Sequence, residues 1–338
     1  MTKIDIIQLA KVLNLSKSTV SRAFMGSSDI KPETRARILK VAEELNYRPN
    51  HYASNLRKQK SKIIAVVVPE LGNNFFSQII RGVERVAKAK DYHVLVYTTD
   101  GDIQKEKDFL NSISNGRVDG VLMSVSGAAG DSAHLKNIDV NRLPIVLFDR
   151  TYADVNLPKV VTDDYESSYT ATQHLLENGC KRIAYLVVNK EHSIGKTRLQ
   201  GYQDALKKNG LPVLDELIVD CAHAYAENAT RMESLFREVK PDGVLASVER
   251  LAFSTYYVCQ ALNIRIPEDL KVVAYSSLEI VQLLNPSLTT ITQPAEAVGE
   301  AAATLLLDRL IAGEEPEEPQ HVILPSNLLI RKSSALEA

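Results

Sequence analysis

Aromatic side chains make up only 6% of this 338-residue chain, and there are only three cysteines. No stretch approaches the roughly 18 to 20 apolar residues of a membrane-spanning helix, so a membrane is not expected as a partner. The opening Met1-Thr2-Lys3-Ile4-Asp5 lacks the basic-then-apolar layout of a secretory signal, and a soluble, cytoplasmic protein is expected. Cys180, Cys221 and Cys259 are odd in number and far apart, without the paired spacing of a zinc site or a disulfide framework. They read as reduced packing residues. The seven histidines, His51, His174 and His192 among them, form no ligand spacing, so no metal is expected. A Gly-rich phosphate loop, a His-Glu-x-x-His helix and a Gly-x-Ser-x-Gly elbow are all missing, so nothing supports an enzyme, and no cofactor is expected. What remains is 45% apolar and 24% charged, globular composition with length enough for two or three cores.

Charge is distributed unevenly. Residues 1–60 hold twelve Lys and Arg against five Asp and Glu, whereas the rest of the chain holds 28 against 37. A small basic head on a larger acidic body points to a polyanionic partner, although charge alone leaves open a merely solvated basic surface.

From Ile64 onward, β-rich runs alternate with amphipathic helical stretches, the pattern of parallel strands joined by crossover helices. Residues 63–68 are continuously apolar, as in a strand buried on both faces. Ile79, Ile80, Val83, Val86 and Ala87 fall at helical spacing, and residues 93–97 return as a strand. Further strands are expected at 120–124, 145–148, 183–188, 243–247 and 272–275, with a helix over 297–311 and an exposed acidic loop over 313–319. The order is written twice: Ile64-Ala65-Val66 recurs as Ile183-Ala184-Tyr185, Gly82 as Gly201, and Asp119-Gly120-Val121-Leu122 as Asp242-Gly243-Val244-Leu245. Two similar doubly wound lobes with strand ends facing a shared cleft follow from this, and such clefts bind small molecules and close around them.

In the head, Leu9, Ala10, Leu13 and Val20 suit two short packed helices around a turn at Asn14-Leu15-Ser16, with Asn14 left-handed and Ser16 capping the second helix. This is a helix-turn-helix pattern. The start of its second helix would enter a major groove, making Lys17, Ser18 and Arg22 base readers and Ser18, Thr19 and Ser21 phosphate or ambiguous contacts. A third helix from Pro32 is expected to bury Ile38, Leu39, Ala42 and Leu45 before Arg48-Pro49-Asn50 stops it. Residues 50–58 are short and basic, a marginal helix or a simple linker.

Ser16-Lys17-Ser18-Thr19-Val20-Ser21-Arg22-Ala23, Tyr47-Arg48-Pro49-Asn50 and Ala53-Ser54-Asn55-Leu56-Arg57 closely resemble the lac repressor (LacI/GalR) family of bacterial transcription regulators. The resemblance continues through Asn74-Phe75-Phe76, Arg81-Gly82-Val83-Glu84, Phe148-Asp149-Arg150, Arg198-Leu199-Gln200-Gly201-Tyr202 and Leu288-Thr289-Thr290-Ile291. It implies an α/β protein with an N-terminal all-α helix-turn-helix domain (1–49) and a hinge helix (50–60). A bilobal periplasmic-binding-protein-like core of two doubly wound parallel-sheet lobes would follow (61–161 with 292–322; 162–291 with 323–338). Ser16, Lys17, Ser18, Thr19, Ser21 and Arg22 would contact a double-stranded operator, while Asn50, Ala53 and Leu56 would lie in the hinge, with leucine wedged into the minor groove. The effector set carried over is Phe75, Phe76, Asp149, Arg198, Val248 and Ser276. Phe75 and Phe76 also read as plain core and Asp149 as a strand-end cap, whereas Arg198, at the start of a helix, has little structural reason to be buried.

Two departures stand out. Val248-Glu249 replaces an Asn-Asp pair found in many sugar-responsive members, and Ala274-Tyr275-Ser276-Ser277 replaces Gly-Phe-Asp-Asp. With Ser276 in place of the aspartate, a charge that repels anions is lost, so an anionic sugar derivative is favoured as effector over a neutral sugar, a protein effector or none. The overall expectation is a repressor binding a palindromic operator as a homodimer under control of a small molecule, a sugar or sugar derivative. A dimer is expected because no leucine-heptad tail follows Leu328-Leu329-Ile330-Arg331. A transport solute-binding protein would share the body but carry a signal peptide and no basic head.

Overall fold

A computed structural model describes residues 4–24, 27–47, 60–113, 116–128, 130–221, 225–313 and 318–335. Asn50, Ala53 and Leu56 lie outside the described residues. The chain divides into two compact units, Met1–Ser61 and Lys62–Ala338.

The head packs α1 (Ile6–Leu13), α2 (Lys17–Phe24) and α3 (Pro32–Glu44) around Leu9, Leu13, Val20, Ala23 and Ile38. Asp5 opens α1 with a reciprocal capping box to Gln8, and Asn14 ends it in the left-handed region at φ 53°. Ser16 Oγ then accepts from Thr19 N–H at 3.1 Å, supplying the first turn of α2 with an acceptor. Arg37 Nη2 reaches back to Leu13 O at 2.7 Å and holds α3 against the end of α1. Leu39 departs from expectation: it is 42% exposed. Ile38 and Ala42 are buried and Leu45 half-buried, an i, i+4, i+7 stripe, and Leu39 sits about 100° round the helix from it.

The body contains two six-stranded sheets. In the first lobe, β1 (Ile63–Val68), β2 (His93–Thr98), β3 (Gly120–Met123), β4 (Ile145–Phe148), β5 (Lys159–Thr162) and β11 (His321–Leu324) run in the order β11-β5-β4-β3-β1-β2, all parallel. In the second lobe, β6 (Ile183–Val188), β7 (Ile218–Cys221), β8 (Gly243–Ala246), β9 (Lys271–Tyr275), β10 (Thr289–Thr292) and β12 (Asn327–Leu329) run β12-β10-β9-β8-β6-β7, with only β12 antiparallel. The break expected between residues 322 and 323 falls inside β11, which pairs along its length with β5.

β1 is buried on both faces as its continuous apolar run requires. Ile64, Val66 and Val68 meet α4 (Asn74–Ala89) and α11 (Ala295–Ala312), while Ala65 and Val67 meet the core around Phe109 and Leu110 of α5 (Ile103–Ile113). The internal repeat is visible in the register: Ile64 lies opposite Gly120, and Ile183 lies opposite Gly243. The repeated glycines are also equivalent. A Cβ on Gly82 would stand 2.1 Å from Glu296 O of α11, and one on Gly201, in α8 (Ser193–Lys208), would stand 2.3 Å from Tyr165 O of α7 (Asp164–Glu177). Each glycine lets two helices of its lobe touch backbone to backbone.

Cys180, Cys221 and Cys259 are buried free thiols, and burial pushes each up to about 12. Among the described residues, no helix is long and apolar enough to cross a membrane.

Candidate functional sites in the head and the cleft

On α2, Lys17, Ser18 and Arg22 are exposed, Thr19 and Ser21 are half-buried, and Val20 and Ala23 hold the opposite face in the core. Ser16 Oγ lies 2.8 Å from both Ser18 Oγ and Thr19 Oγ1. Geometry therefore presents one cationic and hydroxyl-bearing helix edge to solvent, suited to phosphates and base edges.

In the body, the strand ends converge on a cavity of about 50 Å3. Phe75, Phe76, Asp149, Arg198, Val248 and Ser276 all line it, together with Asn73, Arg150, Ile194, Ser247, Glu249, Tyr275, Ser277 and Gln293. Asp149 follows β4, Val248 follows β8, Ser276 follows β9 and Gln293 follows β10, so the cavity lies at the carboxyl ends of strands from both sheets. Asn73 caps α4 by accepting from Phe75 N–H at 2.9 Å, which sets the start of the helix carrying both phenylalanines. The rings meet edge to face with centroids 5.5 Å apart. Phe76 is core, buried against α11, whereas Phe75 is half-buried at the rim.

Arg198 contradicts the expectation that it has no reason to be buried: it is 3% exposed. Its Nε donates to Asp164 Oδ1 at 2.6 Å, its Nη1 donates to Ser247 O at 2.9 Å, and its guanidinium carbon lies 3.7 Å from the Tyr275 ring centroid. Burial opposes the charge, but the Asp164 carboxylate beside it outweighs that and raises the guanidinium pKa. Asp164 is itself pushed up by burial and pulled back by Arg198. The pair, contributed by α7 and α8, is a structural post, and its Arg198 also lines the cavity.

Asp149 sits in the left-handed region at φ 58°, a conformation in which Asp is better tolerated than most residues. It accepts from Ser124 Oγ at 3.0 Å; burial raises its pKa against the pull of Arg150 and Arg198. Arg150 Nε stands 3.9 Å from Asp149 Oδ2, and burial lowers the Arg150 pKa.

The strand-end departure also resolves differently from expectation. Ser276 Oγ donates to Glu249 Oε2 at 2.8 Å. The residue at 276 is thus tied to the first residue of α10 (Glu249–Leu262), whose pKa burial raises against the Ser276 hydrogen bond. Val248 contributes only an apolar wall. Asp149 and Glu249 line the cavity beside Arg150 and Arg198, so with Ser276 in place of an aspartate the cavity still holds charged groups of both signs. Glu249 enters the sequence reading only as half of a replaced pair and not as a site residue; its position two residues beyond the expected strand 243–247 is the usable signal.

Contacts across the cleft hold the lobes together. Arg250 Nη1 pairs with Glu70 Oε1 at 3.3 Å, Asn74 Nδ2 and Gln78 Nε2 both donate to Ser277 O at 3.4 Å, and Thr151 N–H donates to Ser193 Oγ at 3.1 Å. Among the described residues, no group of His, Cys, Asp and Glu is placed to hold a metal ion.

Comparison with known proteins agrees with both units. Residues 5–50 match the model for bacterial regulatory proteins of the lacI family, and residues 61–332 match that for periplasmic binding proteins and the sugar-binding domain of the LacI family. The chain is 28% identical to catabolite control protein A of Priestia megaterium over 333 residues, which covers 98% of this chain and 99% of the relative. It is 30% identical to the ribose operon repressor of Haemophilus influenzae over 332 residues, 97% of each. Among solved structures, the complex of the transcriptional regulator CelR with cellobiose superimposes with a TM-score of 0.72 at 26% identity, covering 98% of this chain and all of that one. With matched family models on both its basic head and its two-lobed body, the chain belongs to the LacI family and is a DNA-binding transcription regulator, not an enzyme.

Proposed function

We propose that the protein is a cytoplasmic homodimeric repressor whose grip on a palindromic operator is set by a neutral, polyhydroxylated ligand in the cleft. The observation that carries this reading is the composition of the cavity: Asp149 beside Arg150, Glu249 bonded to Ser276, and Arg198 held by Asp164, next to a half-buried Phe75 ring. Paired charges offer sugar hydroxyls both acceptors and donors without favouring a net ionic ligand, and an aromatic rim suits the apolar face of a sugar ring. The cellobiose complex of one relative and the ribose operon of another are consistent with this class. A water takes about 10–15 Å3 on the scale in which the cavity measures about 50 Å3. A sugar therefore enters only when the lobes part, which links occupancy to lobe geometry.

In this reading α2 lies in the major groove with Lys17, Ser18 and Arg22 at base edges and Ser16, Thr19 and Ser21 at phosphates, while Asn50, Ala53 and Leu56 form the minor-groove hinge. Two copies are supported by the apolar Leu95 and Val96 of edge strand β2 and by Ile280 and Leu283, all exposed. The test is selection of duplexes from a random library by the full-length protein, followed by affinity titrations with neutral, phosphorylated and uronic sugars. Enrichment of a palindrome whose affinity responds to a neutral sugar is expected; enrichment of no sequence, or a response to anionic sugars alone, overturns the reading.

A further inference from the structure

In the head, Arg22 Nη1 stands 3.5 Å from Asp29 Oδ2. Asp29 lies between α2 and α3, and the two side chains are 49% and 64% exposed. A pair this exposed adds little to stability, and an acid beside the DNA-reading edge costs affinity for a polyanion. Its use lies in what the two side chains recognise together. The major-groove edge of a G·C pair presents, in one row, the acceptors N7 and O6 of guanine and then the N4 donor of cytosine. An arginine fork takes the first two, which leaves N4 for an acceptor set beside the fork. Arg22 supplies two donors, and Asp29 Oδ2 stands beside one of them, Nη1, as the acceptor. The 3.5 Å step from Nη1 to Oδ2 is close to the O6 to N4 separation, itself a hydrogen bond of about 2.9 Å.

We propose that Arg22 and Asp29 read one G·C pair jointly in each half-site, Arg22 on guanine and Asp29 on the cytosine amine. On an A·T pair the row becomes acceptor, donor, acceptor, so Arg22 Nη1 faces a donor and Asp29 faces an acceptor. Asp29 is thus a second specificity determinant and works partly by repulsion. This rests on the DNA-reading role of α2 proposed above.

The test uses full-length protein and a random-core duplex library, comparing wild type, Asp29→Ala and Arg22→Ala. Wild type is expected to select a G·C pair that Arg22→Ala no longer selects. Asp29→Ala should lower the preference for that pair by about 10-fold while binding random duplex more tightly, because a negative charge has been removed. Wild-type protein should lose a similar factor on a probe with N4-methylcytosine at that pair, and Asp29→Ala should not respond to the methyl group. An unchanged preference in Asp29→Ala, weaker binding of random duplex by it, or full tolerance of N4-methylcytosine by wild type overturns the joint reading. If wild type selects no sequence, the DNA-reading role itself fails instead.

Discussion

Ser276 Oγ donates to Glu249 Oε2 at 2.8 Å, joining the residue after β9 to the residue that opens α10. The cleft therefore keeps an acid at 249, where the resembled family has the aspartate of its Asn-Asp pair, and the hydroxyl at 276 is bonded to it. A comparison at position 276 alone misses this pairing.

The half-buried Glu249 carboxyl has a testable pH signature. Its pKa lies above the ordinary glutamate value of 4.5, so between the unfolded and native values the native state holds a proton that the unfolded chain has released. Stability falls as pH rises from about the unfolded value through the raised native one, and the penalty is complete above that. Glu249→Gln should raise the melting temperature relative to wild type at pH 7, and the gap should close as pH falls below 4.5. A gap that widens on acidification contradicts the assignment.

Removing one partner of the Arg198–Asp164 pair strands the other in the interior. Asp164→Asn is expected to cost about 3–5 kcal/mol in urea denaturation. Replacing both by apolar residues of similar volume should recover much of that loss while abolishing sugar binding. Equal destabilisation by the single and double variants would place the value of the pair elsewhere.

The Glu70–Arg250 bridge across the cleft is about one-third exposed on each side. Arg250→Gln should therefore shift lobe closure by only about 0.2–1 kcal/mol, read in calorimetry as up to about fivefold weaker sugar binding. A change of a hundredfold would mean that Arg250 touches the ligand.

Gly82→Ala pushes a methyl group to within 2.1 Å of a backbone oxygen in α11, and Gly201→Ala does the same at 2.3 Å against α7. Both variants should lose about 1–3 kcal/mol or more in thermal melts, since neither neighbour is a flexible side-chain tip. A neutral result at either position would show that the helices can separate without cost.

Much of the architecture was legible in the sequence because it is written in local patterns. The continuous apolar run of β1, the left-handed Asn14, the cap at Ser16 and the paired Gly82 and Gly201 each impose a local geometry. The residues missed depend on distant partners. β5, β7, β10, β11 and β12 are short and mix polar with apolar residues, unlike the equally short but continuously apolar β3, β4 and β8, so they exist as strands because a neighbour lies alongside and periodicity alone does not reveal them. Leu39 has the right residue type, but its angle on α3 turns it to solvent. The burial of Arg198 depends on Asp164, 34 residues earlier in the chain, and the role of Glu249 depends on Ser276, 27 residues later.

Coupling between the cleft and the head is the central claim, and thermodynamic reciprocity tests it most directly. The affinity of the full-length protein for its selected duplex is measured with and without a saturating neutral sugar, and its affinity for that sugar with and without the duplex. The two ratios should be equal and differ from one, in the range of about 5- to 150-fold. Ratios of one in both directions, with both ligands binding, would mean that the cleft does not govern the head.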